Sequence, residues 1–365
     1  MILGRRNLLA DPVRFLLSVL GVAVSISLIL LLAGYRAGVY RQATAYLANT
    51  AGSAVVAERG IRNFLGTSSA LPAGAERAAR QTPGVERAIP VVSQFVIFDR
   101  DGRKDGFILI GYDPAIGGGP WDLVEGREPT SGDELVIDRI AAEQHGIAIG
   151  DRVALLDRSV TVVGLSDGTT FWAGSIAFTR IGTLQSLLRN PGLQSFLLVS
   201  PTAGTSAATL RDRLAIPGTE VLLKSDVIAN DQKLMARVYD APIGLMVGIS
   251  FIVGVLVVGL IIYTATSERR REYGALKAIG ARNRVLYRVV AVQALMAALI
   301  GSALGVGLAL GAGAGLMAWR PQFYVDIEPV AIVLVLASSV VMALLAALVP
   351  ARAVARLEPA EVFRG

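Results

Sequence analysis

Asp99, Asp101 and Asp105 flank Gly102 in the run Asp-Arg-Asp-Gly-Arg-Lys-Asp-Gly, an acidic loop of the kind that holds calcium. Arg100, Arg103 and Lys104 occupy the interleaved positions, and no Glu closes the loop as a calcium site requires. The run reads instead as a hairpin turn. There is one histidine, His145, and no cysteine, which excludes disulfides, thiol catalysis and cysteine or multi-histidine metal sites. His145 stands between Gln144 and Gly146, where a helix end gives it a cationic or capping role. The four lysines follow Arg103, Leu223, Gln232 and Leu276, so no Gly-Lys pair can build a P-loop. Gly117-Gly118-Gly119-Pro120 lacks the strand-turn-helix context of a phosphate cradle. No catalytic, cofactor or metal site is expected, and the chain is not expected to be an enzyme.

The most specific spacing lies in residues 267–281. Glu268, Arg269, Arg270, Arg271 and Glu272 open this segment, and Tyr273, Leu276 and Ile279 recur at i, i+3 and i+6, close to one helical face. Glu268 and Glu272 stand one turn apart near its start, where acids complement the helix dipole. Gly280 can end the helix in a left-handed cap. An amphipathic helix over 268–280 can dock a cytoplasmic partner or lie on anionic lipid. A second pattern is glycine. Gly301, Gly305, Gly307, Gly311, Gly313 and Gly315 include the pairs 301/305, 307/311 and 311/315, each four apart and read as one face. Such a face lets helix backbones approach, either within a bundle or against a partner helix.

The elements that carry these residues are set by hydropathy. The chain is 53% hydrophobic and 18% charged, against about 25% charged for a soluble domain. The excess sits in four uncharged runs, Phe15 to Ala33, Ala241 to Ser267, Val289 to Trp319 and Pro329 to Ala351. Each reaches the ~20 residues that a membrane-crossing helix needs. No acidic or basic residue lies inside them, which argues against a proton-coupled carrier. The first run exceeds the apolar core of a signal peptide and reads as an uncleaved anchor.

Net charge is +6, which invites a nucleic-acid reading, but its distribution opposes one. Residues 1–14, 268–288 and 352–365 together carry 13 bases and 5 acids, whereas residues 35–240 carry 21 bases and 22 acids. The basic segments alternate with near-neutral ones along a four-helix weave. The positive-inside rule then puts both termini and loop 268–288 in the cytoplasm and residues 35–240 outside.

Three parts follow: residues 1–40 as N-terminus and first span, 41–240 as an outer domain, and 241–365 as three further spans with the cytoplasmic helix and tail. In the outer domain, residues 53–58, 89–99, 107–112, 134–138, 152–156, 160–165, 175–178, 195–199 and 220–223 read as strands. Residues 74–81, 139–145, 180–188 and 207–214 read as helices, and 35–48 and 225–239 as helices extending the first and second spans into a stalk. The fold class is an α-helical membrane protein with four transmembrane helices and an α+β extracytoplasmic domain between helices 1 and 2.

The segment Glu268-Arg-Arg-Arg-Glu272-Tyr-Gly-Ala-Leu276-Lys-Ala-Ile-Gly280-Ala resembles the coupling segment of FtsX/MacB-type ABC transporter permeases, the type VII ABC superfamily. The tail from Val349-Pro350-Ala351-Arg352 to Pro359-Ala360-Glu361 resembles that family's ending, with Val354 where a second Arg is common. Residues Glu125-Gly126-Arg127-Glu128-Pro129, Gly150-Asp151-Arg152-Val153 and 160–165 resemble its periplasmic core pattern, and the whole is most like the DevC-like branch. The resemblance implies a permease homodimer in a bacterial cytoplasmic (inner) membrane, working with two copies of a separate cytoplasmic ATPase that supplies ATP and magnesium. It implies mechanotransmission to the outer domain and export of an amphipathic or lipid-like cargo. In a two-membrane envelope the DevC-like branch implies a periplasmic adaptor and an outer-membrane channel. FtsX itself implies the rival reading, a signalling subunit that regulates an outer protein without moving cargo. The resemblance assigns ATPase coupling to Glu268, Arg269, Arg271, Glu272, Tyr273, Leu276, Ile279 and Gly280, with Leu276 and Ile279 inserting and Tyr273 at the rim.

Overall fold

The computed structural model describes residues 12–66, 68–100, 103–156, 158–171, 174–268, 270–279 and 281–355. In chain order its elements are α1 (Pro12–Asn49), β1 (Ala54–Glu58), α2 (Ala75–Gln81), β2 (Val85–Arg100), β3 (Arg103–Tyr112), β4 (Leu123–Gly126), β5 (Glu134–Asp138) and α3 (Arg139–His145). There follow β6 (Arg152–Leu155), β7 (Arg158–Ser166), β8 (Thr170–Phe171), β9 (Gly174–Arg180), α4 (Ile181–Leu187), β10 (Phe196–Pro201), α5 (Ala207–Arg213) and β11 (Thr219–Leu223). The chain continues through α6 (Lys224–Glu268), α7 (Arg270–Ala278), α8 (Asn283–Trp319) and α9 (Pro329–Ala355). Two compact units emerge. One takes the described residues of Met1–Ala37, Tyr239–Trp319 and Val325–Gly365, the other those of Gly38–Val238 and Arg320–Tyr324.

The first unit is helical. α1, α6, α8 and α9 are each long and apolar enough to cross a membrane. Helix is the form such a segment must take, because hydrocarbon offers its backbone no partner. Buried serines return their hydroxyls to their own helix: Ser250 to the Met246 carbonyl at 2.7 Å, Ser302 to Ala298 at 2.5 Å and Ser339 to Leu336 at 2.7 Å. The packed centre is aliphatic, with Val22, Ile26, Leu30, Val258, Val290, Met342 and Ala346 among its residues. Arg36 of α1 forks onto Asp240 of α6, Nε to Oδ1 at 2.6 Å and an Nη to Oδ2 at 3.1 Å.

The second unit is a mixed sheet with short helices. Its strand order is β11-β1-β10-β2-β3-β9-β5-β7-β4, with β6 added on β7 and β8 on β9. β2 is long enough to serve two partners: its first half pairs with β10 and its second half with β3. Among the described residues only β3/β9 and β5/β7 run parallel. Apolar clusters lie against the sheet, one around Val96, Phe107, Leu135 and Val162, another around Tyr46, Phe64, Ile110 and Phe178. Two strands were not legible in sequence: Val124 and Glu125 of β4 are exposed and β8 has two residues.

The acidic run forms a hairpin. Asp99 pairs with Lys104 and Arg100 with Arg103; Asp101 and Gly102 lie outside the described residues. His145 does not cap α3. Gly146 does so in the left-handed conformation, its N–H reaching the Ala142 and Glu143 carbonyls. His145 turns inward, its side chain 2% exposed, with Nε2 2.5 Å from Asp105 Oδ2 and its ring edge-on to Phe98. The connection 320–324 packs with the α+β unit. A Cβ on Gly38 would stand 1.9 Å from the Tyr324 carbonyl oxygen, and Gln42 Nε2 donates to the Gln322 carbonyl at 3.2 Å.

Candidate coupling site

Residues 270–278 are helical. Glu268 is helical with α6, because nothing in Thr264-Ala-Thr-Ser267 breaks that helix. Arg269 and Gly280 lie outside the described residues. The end of α7 is closed by Ile279 N–H on the Ala275 carbonyl at 3.1 Å and Ala281 N–H on the Leu276 carbonyl at 3.0 Å.

Tyr273 is not at a rim. It is 3% exposed and packs with the fully buried Leu286 of α8, and Leu276 and Val289 complete the cluster. Ile279, by contrast, is 84% exposed. At about 100° per residue, Leu276 stays near the Tyr273 face while Ile279 drifts ~120° from it. The i, i+3, i+6 pattern thus divides: two members hold α7 onto α8 and the third faces outward. Arg271 and Glu272 are also exposed, and Lys277 Nζ donates to the Ala355 carbonyl at 2.6 Å. The arrangement can present one apolar side chain amid charge to a protein groove. Among the described residues no cluster of His, Cys, Asp and Glu could hold a metal ion.

The glycines of α8 form two faces for the same angular reason. Gly301 meets Val19 and Val22 of α1, and Gly305 meets Ala23 and Ile26; a Cβ at either would stand 2.7 Å from an α1 carbonyl oxygen. Gly313 faces Leu31 and Val325. Gly307, Gly311 and Gly315 have open space where a Cβ would go.

The outer-domain pattern is a scaffold of turns. Gly126 has φ +79, and a Cβ there would stand 2.2 Å from the Val163 carbonyl oxygen. Next to it, Arg127 N–H donates to that same oxygen at 3.0 Å. The Arg127 guanidinium forks onto Glu134 at 2.5 and 2.9 Å, and Glu134 also accepts from the Thr130 and Ser131 amides at 2.6 and 3.0 Å. Arg127 above all, with the two amides, holds the Glu134 carboxyl well below the usual carboxylate range. A depressed carboxylate contributes stability above its unfolded pKa, and that contribution is lost as pH falls. Glu134→Gln should therefore lower the thermal midpoint at pH 7, and the gap to wild type should narrow as pH falls below ~4.3. A gap independent of pH in thermal melts would refute this role for the carboxylate.

Residues 15–215 match the MacB-like periplasmic core domain family, and residues 244–359 match the FtsX-like permease C-terminal family. An uncharacterized ABC transporter permease of Mycobacterium tuberculosis is 28% identical over 285 residues, 78% of this chain and 76% of the relative. The macrolide export ATP-binding/permease protein MacB of Agrobacterium fabrum is 33% identical over 115 residues, 32% of this chain and 18% of that protein. The crystal structure of the periplasmic region of MacB from Actinobacillus actinomycetemcomitans aligns with 50% of this chain and 94% of its own, at 12% identity and a TM-score of 0.38. The MacB-like match alone takes in more than half of the sequence, and with the FtsX-like match behind it the chain belongs to the FtsX/MacB-type ABC transporter permeases.

Proposed function

We propose that this chain is the membrane half of an exporter in which two copies join two copies of a cytoplasmic ATPase, and that ATP-driven motion is transmitted to the outer unit rather than opening a path for cargo between the spans. The observation that carries the reading is the helical stretch 270–278, seated by Tyr273 and Leu276, with Ile279 exposed just past its end. Three further features support it. The spans hold no acidic or basic residue within their apolar runs. α1 and α6 each contribute to both compact units without a break in the helix. One set of four spans with no internal repeat leaves symmetry to a second copy.

The orientation has α7 in the cytoplasm and the α+β unit outside, on the charge asymmetry above. Ala203 of the α+β unit and Ala278 of α7 are exposed and suited to report it. With no native cysteine, Ala203→Cys should react with an impermeant maleimide on intact cells and Ala278→Cys only after lysis. The reverse pattern would overturn the orientation.

Transmission gives Arg36 and Asp240 a task. An exposed ion pair adds only about 0–1 kcal/mol to stability, so Arg36→Asp should barely shift the thermal midpoint. It should suppress the ATP-dependent distance change between spin labels on Ala203 of the two copies, and the swap Arg36→Asp with Asp240→Arg should restore it. An unaltered change in Arg36→Asp would exclude the pair from transmission. ATPase stimulation of the reconstituted complex by amphiphiles supports export; stimulation only by a protein ligand would assign FtsX-like regulation instead.

A further inference from the structure

In the chain, α7 stands between α6 and α8. α6 begins inside the α+β unit, at Lys224. α8 carries the seat of α7, Leu286 and Val289, near its start and ends at Trp319. The turn that follows, Arg320–Tyr324, belongs to the α+β unit and not to the helical one. It is gripped on two sides. On α1, Gly38 lies so close to the Tyr324 carbonyl that a Cβ would stand 1.9 Å from its oxygen. The Arg41 guanidinium lies over the Tyr324 ring at 5.6 Å, and Gln42 Nε2 donates to the Gln322 carbonyl at 3.2 Å. Gly38, Arg41 and Gln42 stand at i, i+3 and i+4, one face of α1. On α3, Gln144 Nε2 donates to Gln322 Oε1 at 3.1 Å. The turn is closed on itself by the Phe323 N–H on the Arg320 carbonyl at 3.0 Å. A contact of backbone on backbone passes displacement on, because no rotamer change can relieve it.

We infer that the Arg320–Tyr324 turn is a further point of transmission: movement of α7 reaches the α+β unit through α8 and this turn as well as through α6, and Gly38 is the positioning residue that seats the turn on α1. A body held through α1 and α6 alone does not register a movement of α8; one that also grips the turn after α8 does. This inference rests on the transmission reading above and names the residues that carry motion out of α8.

The test uses the full permease with its ATPase, spin-labelled at Ala203→Cys in both copies. Gly38→Ala puts a carbon where the Tyr324 carbonyl stands. In a helix interior that exchange ordinarily stabilises, so a Gly38 that matters only to its own helix predicts a thermal midpoint at or above wild type and an undiminished ATP-dependent distance change. Seating of the turn predicts a distance change reduced at least twofold while the ATPase still co-purifies and hydrolyses ATP. Tyr324→Ala keeps the backbone, removes only the ring beneath Arg41, and should give a smaller loss of the same kind; it serves where Gly38→Ala folds poorly. A distance change that survives in both variants overturns the turn's role. So does a loss that merely tracks folded yield and ATP hydrolysis, because the turn is then structural. A wild-type complex that shows no ATP-dependent change refutes the transmission reading itself, which separates the two failures.

Discussion

Ile279→Asp should reduce recovery of the ATPase with the permease at least tenfold. Burying one such side chain is worth about 1.5–3 kcal/mol, and roughly 1.4 kcal/mol is already a factor of ten. The acid also brings a charge that the groove must desolvate. Ile279 is the informative position because it is the exposed member of the apolar triplet. Leu276→Asp would remove a side chain that packs on the Tyr273–Leu286 cluster, so its effect would mix docking with the seating of α7. Ile279→Leu should keep binding. If α7 instead lies on lipid, Ile279→Asp loosens the loop and leaves the ATPase bound. Undiminished co-purification at matched permease levels, with full ATP-dependent activity, would remove α7 from the coupling role.

Gly305→Leu should unseat α8 from α1. The first added carbon would stand 2.7 Å from the Ala23 carbonyl oxygen and 2.9 Å from Ile26, both on a helix that cannot withdraw without opening the packed centre. Over-packing of this kind costs about 1–3 kcal/mol, and backbone contact puts it at the upper end. A clear fall in thermal midpoint and in folded yield is expected. Gly311→Leu meets open space and should leave both near wild type. Equal losses at the two positions would mean that the glycines matter through helix propensity rather than through contact.

The contrast between these glycines marks where one-dimensional reading stops. Spacing of four places 301 with 305, and 307 with 311 and 315, and nothing in that list says that the two sets face apart. Six residues turn a helix about 240° beyond a full revolution, and only the neighbouring α1 decides which set is covered. The triplet of α7 behaves alike: Tyr273 and Ile279 share a pattern, but the close approach of α8 buries one and leaves the other free.

Sequence alone determined the four spans, because a bilayer accepts a chain only through ~20 apolar residues in a form that satisfies its own backbone. It also determined nearly all the strands and short helices of the outer unit, whose alternating Val, Ile and Phe are cut by Gly and Pro. It carried the family too, through the resemblance of Glu268 to Ala281 and of the Gly126-Arg127 turn to the family's patterns. The tertiary structure alone decided that Tyr273 is buried against Leu286 and Ile279 exposed, that Arg36 meets Asp240 some 204 positions away, and that Trp121, Asp122 and Asp167 share a cleft with Arg41. Those facts depend on which remote surfaces meet. Local propensity and periodicity report the conformation of a segment and the side that is apolar, but packing chooses the partner that covers it.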